Sequence, residues 1–413
     1  MYDLAVTGAW IEFAVRWLHV ITAIAWIGSS FYFIALDLGL RRDPPPPSGA
    51  DGQEWQVHGG GFYHIQKYLV APDNLPDHLI WFKWESYATW LSGFALMALI
   101  YYLGAEFYLI DPDVADLRPW QAVLISVLSL VLGWIVYDML CKSRFGEDNT
   151  RLMVLLYFVL VAMAWGYTQV FTGRAALIHL GAFTATIMSA NVFMIIIPNQ
   201  KIVVADLKAG RTPDAKYGKI AKQRSTHNNY LTLPVIFLML SNHYPLAFAS
   251  EANWVIASLV FLMGVTIRHY FNSMHAGKGK PTWTWLATTL IFILIMWLST
   301  APMFRPDADT TALSPSAERF AQAPGFTEAT DIVLGRCSMC HAAEPNWAGL
   351  HWPPKGVILE TPQQVAHNAH AIYLQSGISH AMPPANLSYM EEEERAALVA
   401  WFNAGRAGLK AEN

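Results

Sequence analysis

Eight stretches of this chain are apolar over lengths that match the hydrocarbon core of a bilayer, at roughly 11–36, 86–107, 121–141, 152–171, 175–197, 230–249, 253–271 and 282–302. About 20 helical residues span that thickness, and without water to satisfy its amides the backbone inside must be helical. The expected fold is therefore all-α, with residues 1–302 forming an eight-helix transmembrane bundle. Charged residues make up only 14% of the chain, well below the usual quarter for soluble proteins. The lipid bilayer is the implied partner, and a net charge of -4 gives no reason to expect nucleic acid. Trp120, Trp254 and Trp283 at segment ends suit the aromatic belts of a membrane protein. No basic stretch precedes the first apolar segment, so it reads as a retained helix rather than a cleaved signal.

Basic residues orient the bundle. The loops after segments one, three, five and seven hold Arg41, Arg42, Lys67, Lys142, Arg144, Lys201, Lys208, Arg211, Lys216, Lys219, Lys222, Arg224, Lys278 and Lys280. The opposite loops hold Arg118 and Arg174 beside the acids Glu106, Asp111, Asp113 and Asp116. The positive-inside rule then puts both termini outside. One loop, 37–85, is unusual. A proline spacer (Pro44 to Pro47) leads into the aromatic and glycine-rich runs His58-Gly59-Gly60-Gly61-Phe62-Tyr63-His64 and Trp81-Phe82-Lys83-Trp84-Glu85. It is too apolar for a solvated loop and is expected to pack on the bundle, to re-enter it, or to lie as an interfacial helix.

Residues 303–323, rich in Pro, Ala, Asp and Ser, read as a flexible linker to a second domain, 324–413. That domain contains Cys337-Ser338-Met339-Cys340-His341, a C-x-x-C-H run. Two thiols on one helical turn can each form a thioether to a haem vinyl group, and the adjoining imidazole then lies under the iron. The expectation is a small class I-like cytochrome c domain with covalent haem c, attached through Cys337 and Cys340, with His341 as proximal ligand. The plainer reading is a redox or zinc C-x-x-C with an incidental His. The distal ligand is expected from the loop ahead of the last helix, where Met382 stands before Pro383 and Pro384. His380, His367 and His370 are its rivals. Haem c is attached outside the bacterial inner membrane, which agrees with the orientation drawn from the basic residues.

Ionisable groups inside a membrane are costly and are functional candidates by default. His19, His179 and His243 fall in the outer half; His227, His269 and His275 fall at the inner boundary, beside Asn228, Asn229 and Arg268. Small residues flank His179, namely Ala175, Ala176 and Ala182. Such spacing allows close helix contact or leaves room for a flat macrocycle. Three readings stay open: a haem b between the first and fifth helices, a substrate pocket with His as proton acceptor, or hydrogen bonds between helices.

Three runs carry a family resemblance: Trp17-Leu18-His19-Val20-Ile21-Thr22-Ala23, Gly59-Gly60-Gly61-Phe62-Tyr63 and Asn191-Val192-Phe193-Met194-Ile195-Ile196-Ile197-Pro198. With the C-terminal haem motif, the chain resembles the bacterial integral-membrane urate oxidases that join eight transmembrane helices to a cytochrome c. The resemblance implies an inner-membrane oxidoreductase of purine catabolism that converts urate to 5-hydroxyisourate. It further implies that electrons pass to haem c and on to a respiratory-chain acceptor such as a soluble cytochrome c or a terminal oxidase. A urate site needs a cation and an aromatic wall. His19, His179 and Arg174 are the catalytic candidates, with Arg16 as a further cation and Trp26, Trp165 or Tyr167 as walls. The Gly59–Tyr63 run with Lys83 and Trp84 is the inner-side alternative. Without urate activity, the chain would be a membrane electron-transfer or quinol-oxidising cytochrome c subunit.

Overall fold

The structure is a computed structural model that describes residues 4–68, 76–111, 114–301, 313–350 and 353–407. It is mostly helical. The long helices are α1 (Leu4–Gly39), α2 (Trp84–Met97, continued by a π turn at Ala98–Tyr102), α3 (Pro119–Lys142), α4 (Asn149–Thr168), α5 (Gly173–Ala190), α6 (Ala215–Ser241), α7 (Asn253–His275) and α8 (Trp283–Thr300). A second π turn, Asn191–Ile196, extends α5 into Ile197–Lys208, so that Pro198 falls in the first turn of the continuing helix. Among the described residues, six helices are long and apolar enough to cross a membrane by length and composition. The two that fall short are α2 and α6, and both begin with polar residues. In α2 these are Glu85 and Ser86; in α6 they run from Lys216 to Asn229.

The most enclosed helix is α5. Alternating small and large side chains from Ala175 to Met188 are buried against α2, α3, α4 and α6. Small residues set the closest approaches. A Cβ placed on Gly133 of α3 would lie 2.1 Å from the Phe183 ring, and one on Gly264 of α7 would lie 2.5 Å from Pro234 inside α6. Close backbone approach of this kind holds helices together where lipid offers no hydrophobic drive.

The expectation of a purely helical chain fails in the loop after α1. Ala50–His58 and Gly61–Tyr68 form an antiparallel hairpin, β1 and β2, with Trp55 opposite His64 and their rings stacked at 4.1 Å. Over these residues the loop is a hairpin and not an interfacial helix. Its two-residue turn needs left-handed backbone at both central positions, and Gly59 (φ 58°) and Gly60 (φ 79°) supply it.

The tail has its own apolar core. Within the stretch read as linker, residues 302–312 lie outside the described residues, but Pro315–Gln322 is a helix, α9, capped by the Ser314 hydroxyl. Phe320 on α9 stacks on Phe402 at 5.2 Å and takes the Trp401 indole N–H on its carbonyl. The other main helices are α10 (Phe326–Arg336), α11 (Pro362–His367) and α12 (Glu392–Ala407). The tail rests on the bundle end formed by Ala105–Tyr108 and the start of α5, through Arg319 to Glu106 at 2.6 Å and the Tyr108 hydroxyl to His370 at 3.4 Å.

Candidate functional site

The C-x-x-C-H run follows α10. Cys337 is buried, Cys340 and His341 are half-buried, and neither thiol is in a disulfide. Burial, with Cys340 close by, pushes the Cys337 thiol up to about 12. That is the reverse of the acidified thiol on which a redox C-x-x-C pair depends. The His341 Nδ1–H donates to the Val357 carbonyl at 2.8 Å, and the Leu359 N–H donates to the His341 carbonyl at 2.7 Å. The ring is thereby fixed with its Nε2 lone pair available, the arrangement in which a protein orients a metal-bound imidazole. Among the described residues, no group of three or more His, Cys, Asp and Glu side chains is gathered to hold a bare metal ion. The donor set of two thiols and one oriented imidazole fits covalent haem c.

Met382 sits in a loop that α12 clamps. Arg395, 4% exposed, donates to the carbonyls of Ser376 (2.6 Å) and Met382 (2.9 Å) and to Asn386 Oδ1 at 3.2 Å. His380, Ala385, Asn386 and Tyr389 in this loop all have left-handed backbone, with φ between 50° and 53°. The rivals of Met382 lie in different surroundings. His380 is exposed, 3.9 Å from Glu392, while His367 and His370 line a cavity against the bundle. Met390, at 3% exposure, belongs to the tail's apolar core.

In the bundle, His19 and His179 are engaged separately. The His19 Nδ1–H donates to the Thr89 carbonyl of α2 at 3.0 Å and lies 3.2 Å from the Ser92 hydroxyl. The fully buried His179 donates its Nδ1–H to the Ala175 carbonyl of its own helix at 2.8 Å, leaving Nε2 buried without a partner. Around His179, the ring centroids of Phe171, Tyr101 and Tyr167 lie at 4.7, 5.5 and 5.9 Å. Those rings fill the space that a macrocycle would need, so this packing does not fit a haem b between α1 and α5.

Arg16 and Arg174 differ in a way their sequence positions conceal. Arg16 is paired with Glu12 at 2.6 Å, one turn earlier on α1. Arg174 stands over the Tyr108 ring at 5.9 Å, and its Nε is buried without a hydrogen-bond partner. Of the expected walls, Trp165 is exposed on the bundle surface and the Tyr167 hydroxyl is bound to Ser129 at 2.6 Å. Trp26 packs on the bundle core.

At the bundle end where α3 terminates, α6 carries a polar network. Arg224 binds Asp138 at 2.6 Å and Asn191 at 3.2 Å. The Asn191 amide donates to the Tyr137 hydroxyl, which is also hydrogen-bonded to His227 Nδ1 at 2.8 Å. On the other face of α6, Asn229 Oδ1 accepts from Arg268 and from Asn272. A second cavity, of about 630 Å³, is lined by Arg41, Arg42, Lys67 and Lys222, and three of these four cations meet acids: Arg42 with Asp51, and both lysines with Asp37. The hairpin run Gly59–Tyr63 does not line it.

Residues 5–299 match the family described as Urate oxidase N-terminal. No curated protein and no solved structure matches the chain.

Proposed function

The chain belongs to the urate oxidase N-terminal family, and on that premise we propose that it is a membrane-bound urate oxidase whose tail is its electron outlet. The overall reaction adds one water to urate and removes two electrons and two protons, giving 5-hydroxyisourate. Cys337 and Cys340 would hold a haem c, with His341 and Met382 as its protein ligands, and the bound group would supply one-electron acceptance outside the inner membrane. The chain's own residues fix the ligands. Val357 sets the tautomer of His341, and Arg395 holds the backbone of Met382. In this reading α1 to α8 all cross the membrane, with both termini periplasmic, and a soluble cytochrome c or terminal oxidase takes the electrons onward.

The observation that carries the reading is one of continuity. A family match ending at residue 299 is followed by a folded tail whose C-x-x-C-H imidazole has Nδ1 committed and Nε2 available. The test is to mix the full-length, detergent-purified protein with urate under nitrogen. A reduced haem c spectrum is expected without any oxygen, and Met382→Ala should remove the features of Met-ligated iron. Reduction by a quinol with no response to urate would instead identify a respiratory electron-transfer subunit and overturn the proposal.

A further inference from the structure

A cavity of about 240 Å³ lies between the bundle and the tail, lined by Tyr108, Thr172 and Arg174 on one side and by Asn368 and His370 on the other. Arg174 has no acid. Arg16 and Arg224 each answer a carboxylate, and Arg268 is held by two asparagines. Among the described residues, the contact of Arg174 is with the face of Tyr108, and its buried Nε–H goes unmet. A charged donor left unsatisfied in a partly desolvated place is costly, and an anionic oxygen removes that cost.

The opposite wall supplies different chemistry. Asn368 gives its amide N–H to the Gln364 carbonyl at 2.8 Å, so its Oδ1 is the atom available to accept. Burial holds the His370 imidazole below the usual histidine range, with Arg406 adding to this and Glu12 opposing it. The ring is therefore neutral near pH 7. One cation, one amide acceptor, a neutral imidazole and an aromatic face suit a planar monoanion with carbonyl oxygens and N–H groups along its edge. The other cavity is larger, and Arg41 there has no ion pair among the described residues, but its remaining three cations are already bound by Asp37 and Asp51.

We propose that this interdomain cavity is the substrate site, with the urate monoanion placing an oxygen on the Arg174 guanidinium, its ring beside Tyr108 and an edge N–H on Asn368 Oδ1. The assignment rests on the urate reading above. It makes the site a joint product of the two parts of the chain, so that bound substrate touches the tail directly.

Binding can be read apart from turnover. Full-length protein reduced with ascorbate under nitrogen has no oxidised haem to accept electrons, and radiolabelled urate is then followed by equilibrium dialysis. Wild type should bind one urate per chain. Arg174→Gln should weaken binding by about tenfold to a hundredfold, as for the loss of one charge-assisted hydrogen bond. Arg174→Lys should recover part of the affinity, and Asn368→Ala, in the tail, should weaken binding several-fold. Unchanged visible spectra would show the tail intact in each. Wild-type affinity in both Arg174→Gln and Asn368→Ala overturns the site. If wild type is still reduced by urate under nitrogen, the urate reading survives that loss. Wild type that neither binds urate nor is reduced by it removes both proposals together.

Discussion

Arg395→Leu is expected to destabilise the tail by about 3–5 kcal/mol and to free the loop that carries Met382. The arginine is almost fully buried and gives its N–H groups to three oxygens on two segments, Ser376 on one side and Met382 and Asn386 on the other. Bonds from a charged donor are each worth about 1.5–3 kcal/mol, and the carbonyls left behind in the apolar core carry a further cost. Leucine fills part of the volume and meets none of those oxygens. Hydrogen-exchange mass spectrometry on the full-length protein should show protection lost across residues 374–395, with the bundle helices unchanged. Arg395→Lys, which keeps the charge but not the fork, should fall between the two. Wild-type exchange rates in Arg395→Leu would mean that the loop is held by something else.

The second large effect concerns the ion pair between α3 and α6. Asp138→Ala leaves Arg224, only 2% exposed, without its carboxylate. Breaking a buried ion pair by removing one partner costs about 3–5 kcal/mol, whereas replacing both partners by apolar groups is often close to neutral. The thermal unfolding midpoint of detergent-solubilised Asp138→Ala should therefore drop sharply, and Asp138→Leu combined with Arg224→Met should recover much of the loss. A double variant as unstable as the sum of the two single ones would show that Arg224 acts mainly through Asn191 rather than through Asp138.

The helical scaffold was legible because long apolar runs leave few alternatives. The segment expected at 121–141 is Pro119–Lys142, and that at 253–271 begins at Asn253 and runs on to His275. The hairpin had its signal in Gly59-Gly60 between two strand-like runs, but the apolar, aromatic composition drew the reading to packing on the bundle, re-entry or an interfacial helix. Helix α9 carried a start signature, Ser314 before Pro315, inside a composition that reads as linker. The pairing of Arg16 with Glu12 was available at a spacing of four. That Arg174 meets no acid among the described residues was not legible, since it depends on what surrounds the start of α5 in three dimensions. Likewise, Arg395 looks in sequence like one more charge on an amphipathic helix, and only packing shows that it points inward.

The loop around Met382 has a cost that its sequence hides. Four side-chain-bearing residues between positions 380 and 389 hold backbone angles that glycine would adopt with less strain. Glycine at such positions would relieve the fold and, in the same stroke, multiply the conformations open to the loop. Folding free energy and a fixed loop geometry thus pull this segment in opposite directions. A tail selected for thermal endurance alone would drift toward glycine here, and what it would surrender first is the reproducible placement of one sulfur atom.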